Sequence, residues 1–291
     1  MEQQGSIIHP HRTISTRGKV LDLSKPLVMG VLNITSDSFY SGSRYRWGCQ
    51  ISRRAEQMLA EGAQIIDIGA CSTRPGATPI DEQLELRRLS KAVGAVRRKL
   101  PEAIISVDTY RASVARAMVN DYEVNIINDI SAGSMDPDML TTVASLRVPY
   151  VLMHMQGTPT DMQQQPSYGN VMEELMMYLS QKLEHLKALD ISDVIIDPGF
   201  GFGKTLEHNY TILKNLSTFR LLGRPILVGL SRKSMVYNQL NIGPRAALNG
   251  TTVLNTVALQ NGASILRVHD VRAAVEAISL TSMLQSQPEF Q

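Results

Sequence analysis

The sequence predicts a single α/β domain, a (β/α)8 TIM barrel with a short N-terminal β segment closing the bottom. Three observations carry this. Eight short apolar runs recur between residues 27 and 268, continuously apolar as in parallel strands covered on both faces. Amphipathic stretches of helical period separate them, among them SRRAEQMLAEG, DEQLELRRLSKAVGAVRRKL and NVMEELMMYLSQKLEHLKAL. No linker rich in Pro, Gly and Ser divides the chain, so the strand–helix units belong to one barrel. Residues 18–285 are assigned to the barrel, 1–17 to an N-terminal extension and 286–291 to a C-terminal tail.

Residues 6–24 are expected to form short strands beneath the barrel. The first apolar run, LVMGVL (27–32), is followed by Asn33, Thr35 and Asp37, and lacks the Gly-rich turn that opens a doubly wound sheet. The second, AQIIDIG (63–69), leads into CSTRPGA (71–77), and the third, AIISV (103–107), into Asp108. The fourth, VNIIN (124–128), ends in Asn128 and Asp129; the fifth, PYVLM (149–153), precedes His154. The sixth, DVIID (193–197), ends in Asp197, and the seventh, PILVGL (225–230), leads into SRKS (231–234). The eighth, ASILRV (263–268), carries Arg267 and precedes His269. Functional groups of a barrel gather at the C-terminal ends of its strands. Here nearly every strand delivers a polar or charged residue to that rim.

Each of these residues also has a duller reading. Asp108 could cap a helix starting near Arg111, and Asn128 could hold a tight turn. His154, between two methionines, reads as a satisfied core histidine. Lys233 at a helix start is opposed by the helix dipole, which hints at a bound anion or electron-rich ligand. Arg267 within a strand is costly unless paired, so it requires an anionic partner. As a set, Asp108, Asn128 and Asp197 suit a flat heterocycle with several N–H and C=O groups. Asn33, Arg267 and His269, where the first and last strands meet, suit an oxyanion such as phosphate or pyrophosphate. Lys233 lies between the two groups.

The stretch VIIDPGFGFGKT (194–205) ends in Gly-Lys-Thr like a nucleotide-binding loop. The P-loop spacing, however, puts Pro198 where its first glycine belongs, and proline has no N–H for a phosphate. Asp197 would repel a triphosphate but accept hydrogen bonds from a base. The loop is therefore read as the floor of a heterocycle pocket.

The balance of 29 Lys and Arg against 27 Asp and Glu argues against nucleic-acid binding through phosphate neutralisation. Two cysteines, Cys49 and Cys71, without metal-type pairing, and a polar start without a signal-like apolar segment, point to a reducing cytoplasm. No apolar run approaches the roughly 18 residues of a membrane span, so no membrane partner is expected.

The stretches MGVLNITSDSF, DIGACSTRPGA, SVDTYR, IINDIS, LMHMQGTP, IIDPGFGFGKT, VGLSRKS and LNGTTVLNTVALQNGASILRVHDV, in this order over residues 18 to 280, resemble the dihydropteroate synthase family. The resemblance implies condensation of 6-hydroxymethyl-7,8-dihydropterin pyrophosphate with p-aminobenzoate, releasing pyrophosphate, in folate biosynthesis. It places Asp108, Asn128, Asp197, Lys233, Met153 and Gly201 around the pterin. It places Asn33, Arg267 and His269 on the pyrophosphate, with Asn33 near a Mg²⁺ ion. It puts Thr73, Arg74, Pro75, Phe202 and Ser234 around p-aminobenzoate and Asp37 on a mobile loop over the substrates. Asp108, Lys233 and Asp37 are the implied catalytic residues. A homodimer and recognition by sulfonamides are further implications.

The first loop of the family usually has proline where Ser36 stands here, and the second usually has Gly-Glu where Ala70-Cys71 stands. A packing or loop-positioning effect is expected of the second change. No motif beside Cys71 supports a nucleophile. Two other readings are a pterin-binding methyltransferase domain, which would need neither the lysine of SRKS nor the RVH pair, and a non-catalytic pterin-binding paralogue, against which Thr73-Arg74-Pro75 argues.

Overall fold

The computed structural model describes residues 13–34, 44–71 and 80–288. A hairpin opens it: β1 (Thr13–Thr16) pairs antiparallel with β2 (Lys19–Asp22). Its turn holds Arg17 and Gly18 at positive φ, 44° and 77°. Ile14 faces Leu21 in the register, and both are buried against Leu27, Met29, Ile65, Ile126 and Ile265. These are residues from the starts of the barrel strands, so the hairpin plugs the N-terminal end. Thr16 Oγ1 donates to Asn125 O (2.7 Å) and Asp193 accepts from the Ser15 N–H (2.9 Å), just ahead of two of those strands. Strands on both sides of residue 17 contribute to this floor.

Eight parallel strands follow, each within or at the edge of one of the apolar runs: β3 (Leu27–Asn33), β4 (Ile65–Gly69), β5 (Ile104–Asp108), β6 (Ile126–Asp129), β7 (Tyr150–Met153), β8 (Val194–Asp197), β9 (Leu227–Val228) and β10 (Ile265–Val268). Their order is β8-β7-β6-β5-β4-β3-β10-β9, and a parallel bridge between Ile196 and Ile226 joins β8 to the start of β9. The expected barrel is thus formed.

The described helices are α1 (Arg44–Ala60), α2 (Glu82–Lys99), α3 (Ala112–Tyr122), α4 (Met139–Leu146), α5 (Val171–Ala188), α6 (Leu206–Lys214), α7 (Ser234–Tyr237), α8 (Leu248–Gln260) and α9 (Val271–Gln285). Their ends follow local chemistry. Asp81 accepts from the N–H groups of Gln83 and Leu84 ahead of α2, Asn170 caps α5, and Thr205 and His208 form a reciprocal capping box on α6. Asp108 caps nothing: the Ala112 N–H at the start of α3 is taken by Asp136 Oδ2 at 2.7 Å.

The two-residue period of a strand decides what lies inside. In β4, Ile66 and Ile68 pack outward among the helices, whereas Ile65 joins the barrel floor. Asp67 therefore points inward. The same alternation turns Ser106, Asn128, Asp197 and Arg267 inward, above the floor residues Ile104, Ile126, Ile195 and Ile265. The barrel interior is apolar at the N-terminal end and polar toward the C-terminal rim.

Candidate active site

Arg267 is the hub of the polar layer. Its Nε donates to Asp67 Oδ2 at 2.7 Å, and Nη2 lies 2.6 Å from Asp67 Oδ2 and 2.8 Å from Asp108 Oδ2. The anionic partner required by an arginine in a strand is a pair of protein carboxylates. Asn128, instead of closing a turn, points into the barrel, where Nδ2 donates to Asp67 Oδ2 at 3.2 Å. Burial pushes the Asp108 carboxyl up to about 7, against the pull of Arg267 and with the help of Asp67. Arg267 is held firmly cationic: its two carboxylates outweigh burial.

Asp67 is the residue that the sequence reading missed. It is fully buried, and its Oδ1 has no hydrogen-bond partner; the same holds for Ser106 Oγ on the neighbouring strand. Its signal was a lone carboxylate inside the apolar run AQIIDIG, which calls for a partner as much as the arginine of ILRV does.

Asp197, at the end of β8, accepts the Gly199 N–H through Oδ1 at 2.7 Å. Its carboxyl is raised by burial and pulled back first by Lys233. Lys233 precedes α7, and its Nζ donates to Phe200 O at 2.5 Å and sits 4.7 Å from the centre of the Phe202 ring. Burial brings this ammonium down to about 8, opposed by Asp197. The cation at a helix start is therefore directed at a carboxylate, a carbonyl and an aromatic face.

Around these charges stands an apolar wall: Met153 and Phe202 pack with Ile130 and Met162, flanked by Tyr110 and Met155. Gly201 at φ 79° donates its N–H to Asn209 Oδ1 at 2.7 Å. Ser234 opens α7 and is exposed. His269 is set by Ser231, whose Oγ accepts from its backbone N–H (3.2 Å) and lies 3.1 Å from its Nδ1. Asn33 ends β3 opposite Gly69, which in turn registers with Asp108, so the amide stands on the rim near the carboxylates. Asp37, Thr73, Arg74 and Pro75, and with them Ser36, lie outside the described residues.

The altered second loop has a structural counterpart in Ala70, which is fully buried, and Cys71, whose thiol is pushed up to about 12 by burial and by the nearby Glu85 carboxylate. Glu85 itself is buried, accepts from Thr109 Oγ1 at 2.7 Å and pairs with Arg111. Such a thiol is protonated and packed, not a nucleophile.

Carboxylates, an amide and an ammonium gathered beside apolar side chains can bind a planar heterocycle rich in N–H donors. Arg267, His269 and Asn33 on the closing strands can meet an anionic arm. The family model of the pterin binding enzymes matches residues 29–269. The dihydropteroate synthase of Escherichia coli (strain K12) is 41% identical over 275 residues, covering 94% of this chain and 96% of that protein. That of Haemophilus influenzae is 42% identical over 264 residues, 90% and 95% of the two chains. A crystal structure of the Yersinia pestis dihydropteroate synthase with a sulfonamide drug complex superposes with a TM-score of 0.88 at 40% identity, over 94% of this chain and 100% of that one. The Xanthomonas albilineans dihydropteroate synthase with 4-aminobenzoic acid does so with 0.88 at 36% identity, over 95% and 99%. Carboxylates, amide and arginine converging at the mouth of this barrel and likeness over nearly the whole length agree: the chain belongs to the pterin-binding enzymes, in the dihydropteroate synthase family.

Proposed function

We propose that this chain joins 6-hydroxymethyl-7,8-dihydropterin pyrophosphate to p-aminobenzoate at this rim, with release of pyrophosphate, as a step of folate biosynthesis. The observation that carries the assignment of roles is the inward set of Asp67, Asp108, Asn128, Asp197 and Arg267 above an apolar floor, with Lys233 beside it.

In this reading Asp197 binds the donor edge of the pterin through the oxygen that Gly199 leaves free, and Asn128 and Lys233 hold the remaining ring heteroatoms. Met153 and Gly201 line the ring. Cleavage of the C–O bond sends its electron pair away with pyrophosphate, and the methylene carbon is left cationic and conjugated to the ring. Asp108 stabilises that charge as a fixed counter-ion. Arg267, His269 and Asn33 receive the departing pyrophosphate. The amine nitrogen of p-aminobenzoate then bonds to the methylene and loses a proton to solvent. It is a free base at neutral pH, so no strong general base is required. Phe202 and Ser234 bind p-aminobenzoate, the same role is assigned to Thr73, Arg74 and Pro75, and a catalytic role to Asp37. A sulfonamide competes for the same pocket.

A Mg²⁺ ion is part of the proposal, held by Asn33. The fit rests on donor chemistry: Mg²⁺ binds through one or two protein oxygens and completes its shell with water and phosphate oxygens, and the Asn33 amide stands on the anion-facing rim. Among the described residues no cluster of three His, Cys, Asp or Glu side chains competes as a metal cage. When bound, the ion would neutralise charge on the pyrophosphate. The same reading includes a cytoplasmic setting, consistent with two free cysteines. It also includes a homodimer formed through the exposed apolar residues of α8 and α9.

The test is pyrophosphate release by the purified chain with dihydropterin pyrophosphate and Mg²⁺, with and without p-aminobenzoate. Amine-dependent release with dihydropteroate in step is expected; binding of pterin without either product would place the chain among the non-catalytic paralogues. Lys233→Ala and Arg267→Ala should each abolish most turnover, and full turnover in both would overturn the residue roles.

A further inference from the structure

The Gly-Lys-Thr of the β8–α6 loop is not used by the mechanism above, yet its lysine is one of the most enclosed cations in the chain. Lys204 is 2% exposed. Its Nζ lies 2.9 Å from Phe202 O, 3.2 Å from His154 O and 3.0 Å from His154 Nδ1. Three acceptors around one nitrogen match the three hydrogens of an ammonium, so none is left for a phosphate.

The contact with Nδ1 dictates the state of the histidine. While Lys204 is an ammonium Nδ1 can only accept, so the His154 hydrogen then belongs on Nε2 and the ring is neutral. Burial, then the Lys204 charge, holds His154 down at about 3, while burial brings Lys204 down to about 7 against the pull of Asp197. The ring is packed edge-on against Tyr178 (4.8 Å between centres) and 6.1 Å from Tyr168, whose hydroxyl donates to Gly203 O at 2.7 Å. The glycines show how close the two loops stand. A Cβ on Gly199 would meet His154 O at 1.9 Å, and one on Gly203 would meet Gln156 O at 2.4 Å.

We propose that Lys204 and His154 form a latch between the loops after β7 and β8, and that Lys204 is a positioning residue for the pterin pocket rather than a phosphate ligand. The inference rests on the reading of Asp197 and Lys233 as pterin-facing groups. Three residues of the latched loop reach that pocket. Gly199 donates to Asp197, the Phe200 carbonyl receives Lys233, and the Phe202 ring lies under the Lys233 ammonium. The latch fixes the carbonyls of His154 and Phe202 on either side of this segment, so releasing it shifts both the carboxylate and the ammonium.

Two measurements test it. Nitrogen NMR of the histidine side chains in the wild-type protein should show His154 as a neutral Nε2–H tautomer that stays neutral to well below pH 6. A protonated Nδ1, or titration at an ordinary histidine value, would overturn the latch and needs no variant to fold. Binding of dihydropterin pyrophosphate with Mg²⁺ is then compared by calorimetry in His154→Asn, His154→Leu and Lys204→Met. Asparagine keeps an acceptor oxygen close to the position of Nδ1, whereas leucine keeps only bulk. His154→Asn should bind within about twofold of wild type, and the other two about tenfold more weakly or worse, with a raised KM for the pterin substrate exceeding any change in kcat. Equal affinity in the Asn and Leu variants would refute the positioning role. Failure of the wild type itself to bind the pterin would instead overturn the proposed function, while leaving the NMR result to stand for the latch.

Discussion

Arg267 and Asp67 stand on β10 and β4, with β3 between them, and their side chains meet 2.6 Å apart inside the barrel. The contact ties the strands at the seam where the first and last units close. Arg267 is balanced by Asp67 and Asp108 together, so removing Asp67 leaves its buried charge only partly compensated, and Asp67→Ala should lower stability by about 3 kcal/mol. Arg267→Met in the same chain should restore part of that loss, because no under-compensated cation remains and the Asp108 carboxyl, already raised by burial, can take up a proton, without restoring turnover. Urea unfolding of the two single variants and the double variant measures the coupling. Simple additivity would mean that the pair contributes nothing beyond its separate members.

The raised carboxyl of Asp108 gives the reaction an acid limit. Its ionised form is the one that can stabilise a cation, so the rate of amine-dependent pyrophosphate release should fall as pH drops below about 7, approaching tenfold per unit. Lys233, lowered to about 8, sets the alkaline limit if its ammonium binds the ring. For stability the sign is opposite on the acid side. Asp108 binds its proton more tightly folded than unfolded, so its contribution is complete below its ordinary 3.8 and is lost as pH rises through about 7. A pH–rate profile flat from pH 5 to 9 would rule out both groups as ionisation-dependent participants.

The strands were legible in the sequence because parallel strands covered on both faces are continuously apolar, and all eight formed at or within one residue of the runs read. Their inward faces were not. Continuous hydrophobicity hides the period of two, so Asp67 and Ser106 passed as parts of strands, whereas Asp108, Asn128 and Asp197 announced themselves by ending theirs. Arg267 was legible as a charge in need of a partner, but its partners are 200 and 159 residues away in sequence, and only barrel closure brings them together. Lys204 was obscured by a motif: read as Gly-Lys-Thr, it suggested phosphate, and its inward turn follows from glycine conformations that residue identity alone does not show.

Gly199 tests that turn. It sits at φ 74°, and an added Cβ would lie 1.9 Å from the His154 carbonyl oxygen, which is backbone and cannot swing aside. Gly199→Ala should therefore cost more than about 3 kcal/mol, combining left-handed strain with a forced separation of two loops. Gly18→Ala is the contrast, with φ 77° but open space around its Cβ position, and should cost only about 1 kcal/mol from backbone strain. Thermal unfolding of the two variants separates steric from conformational cost. Equal losses would mean that the loop after β8 can move away freely.

Cys71 and Cys49 should differ in reactivity. Cys49 is exposed, whereas the Cys71 thiol is half-buried and pushed up to about 12. At about pH 8 such a thiol is ionised to roughly one part in ten thousand, and only the thiolate reacts. Ellman's reagent should modify one thiol rapidly in the native protein and the second only on unfolding, and Cys71→Ser should retain turnover. Rapid modification of both thiols, or loss of turnover in Cys71→Ser with the fold intact, would return Cys71 to the list of reactive groups.

The proposed homodimer rests on the last helix. Leu280, Met283 and Leu284 in α9 are 74%, 66% and 62% exposed and share one face at helical spacing, and Leu248 and Val253 of the adjoining α8 are exposed as well. Scattered apolar side chains on a surface need no explanation, but an i, i+3, i+4 set beside a second apolar helix is the pattern of a covered face. A stable dimer covers about 800 Å² on each partner, an area that two adjacent helices can supply. Leu280→Glu would bury a carboxylate in the proposed interface without touching the barrel interior, so the cost should fall on association rather than on folding. Light scattering should give the wild type twice the 32.1 kDa chain mass and the variant a single chain mass. The described site residues come from one chain, so turnover per chain should survive. A wild-type mass of 32.1 kDa would remove the homodimer, and an inactive monomeric variant would show that the partner contributes to the site.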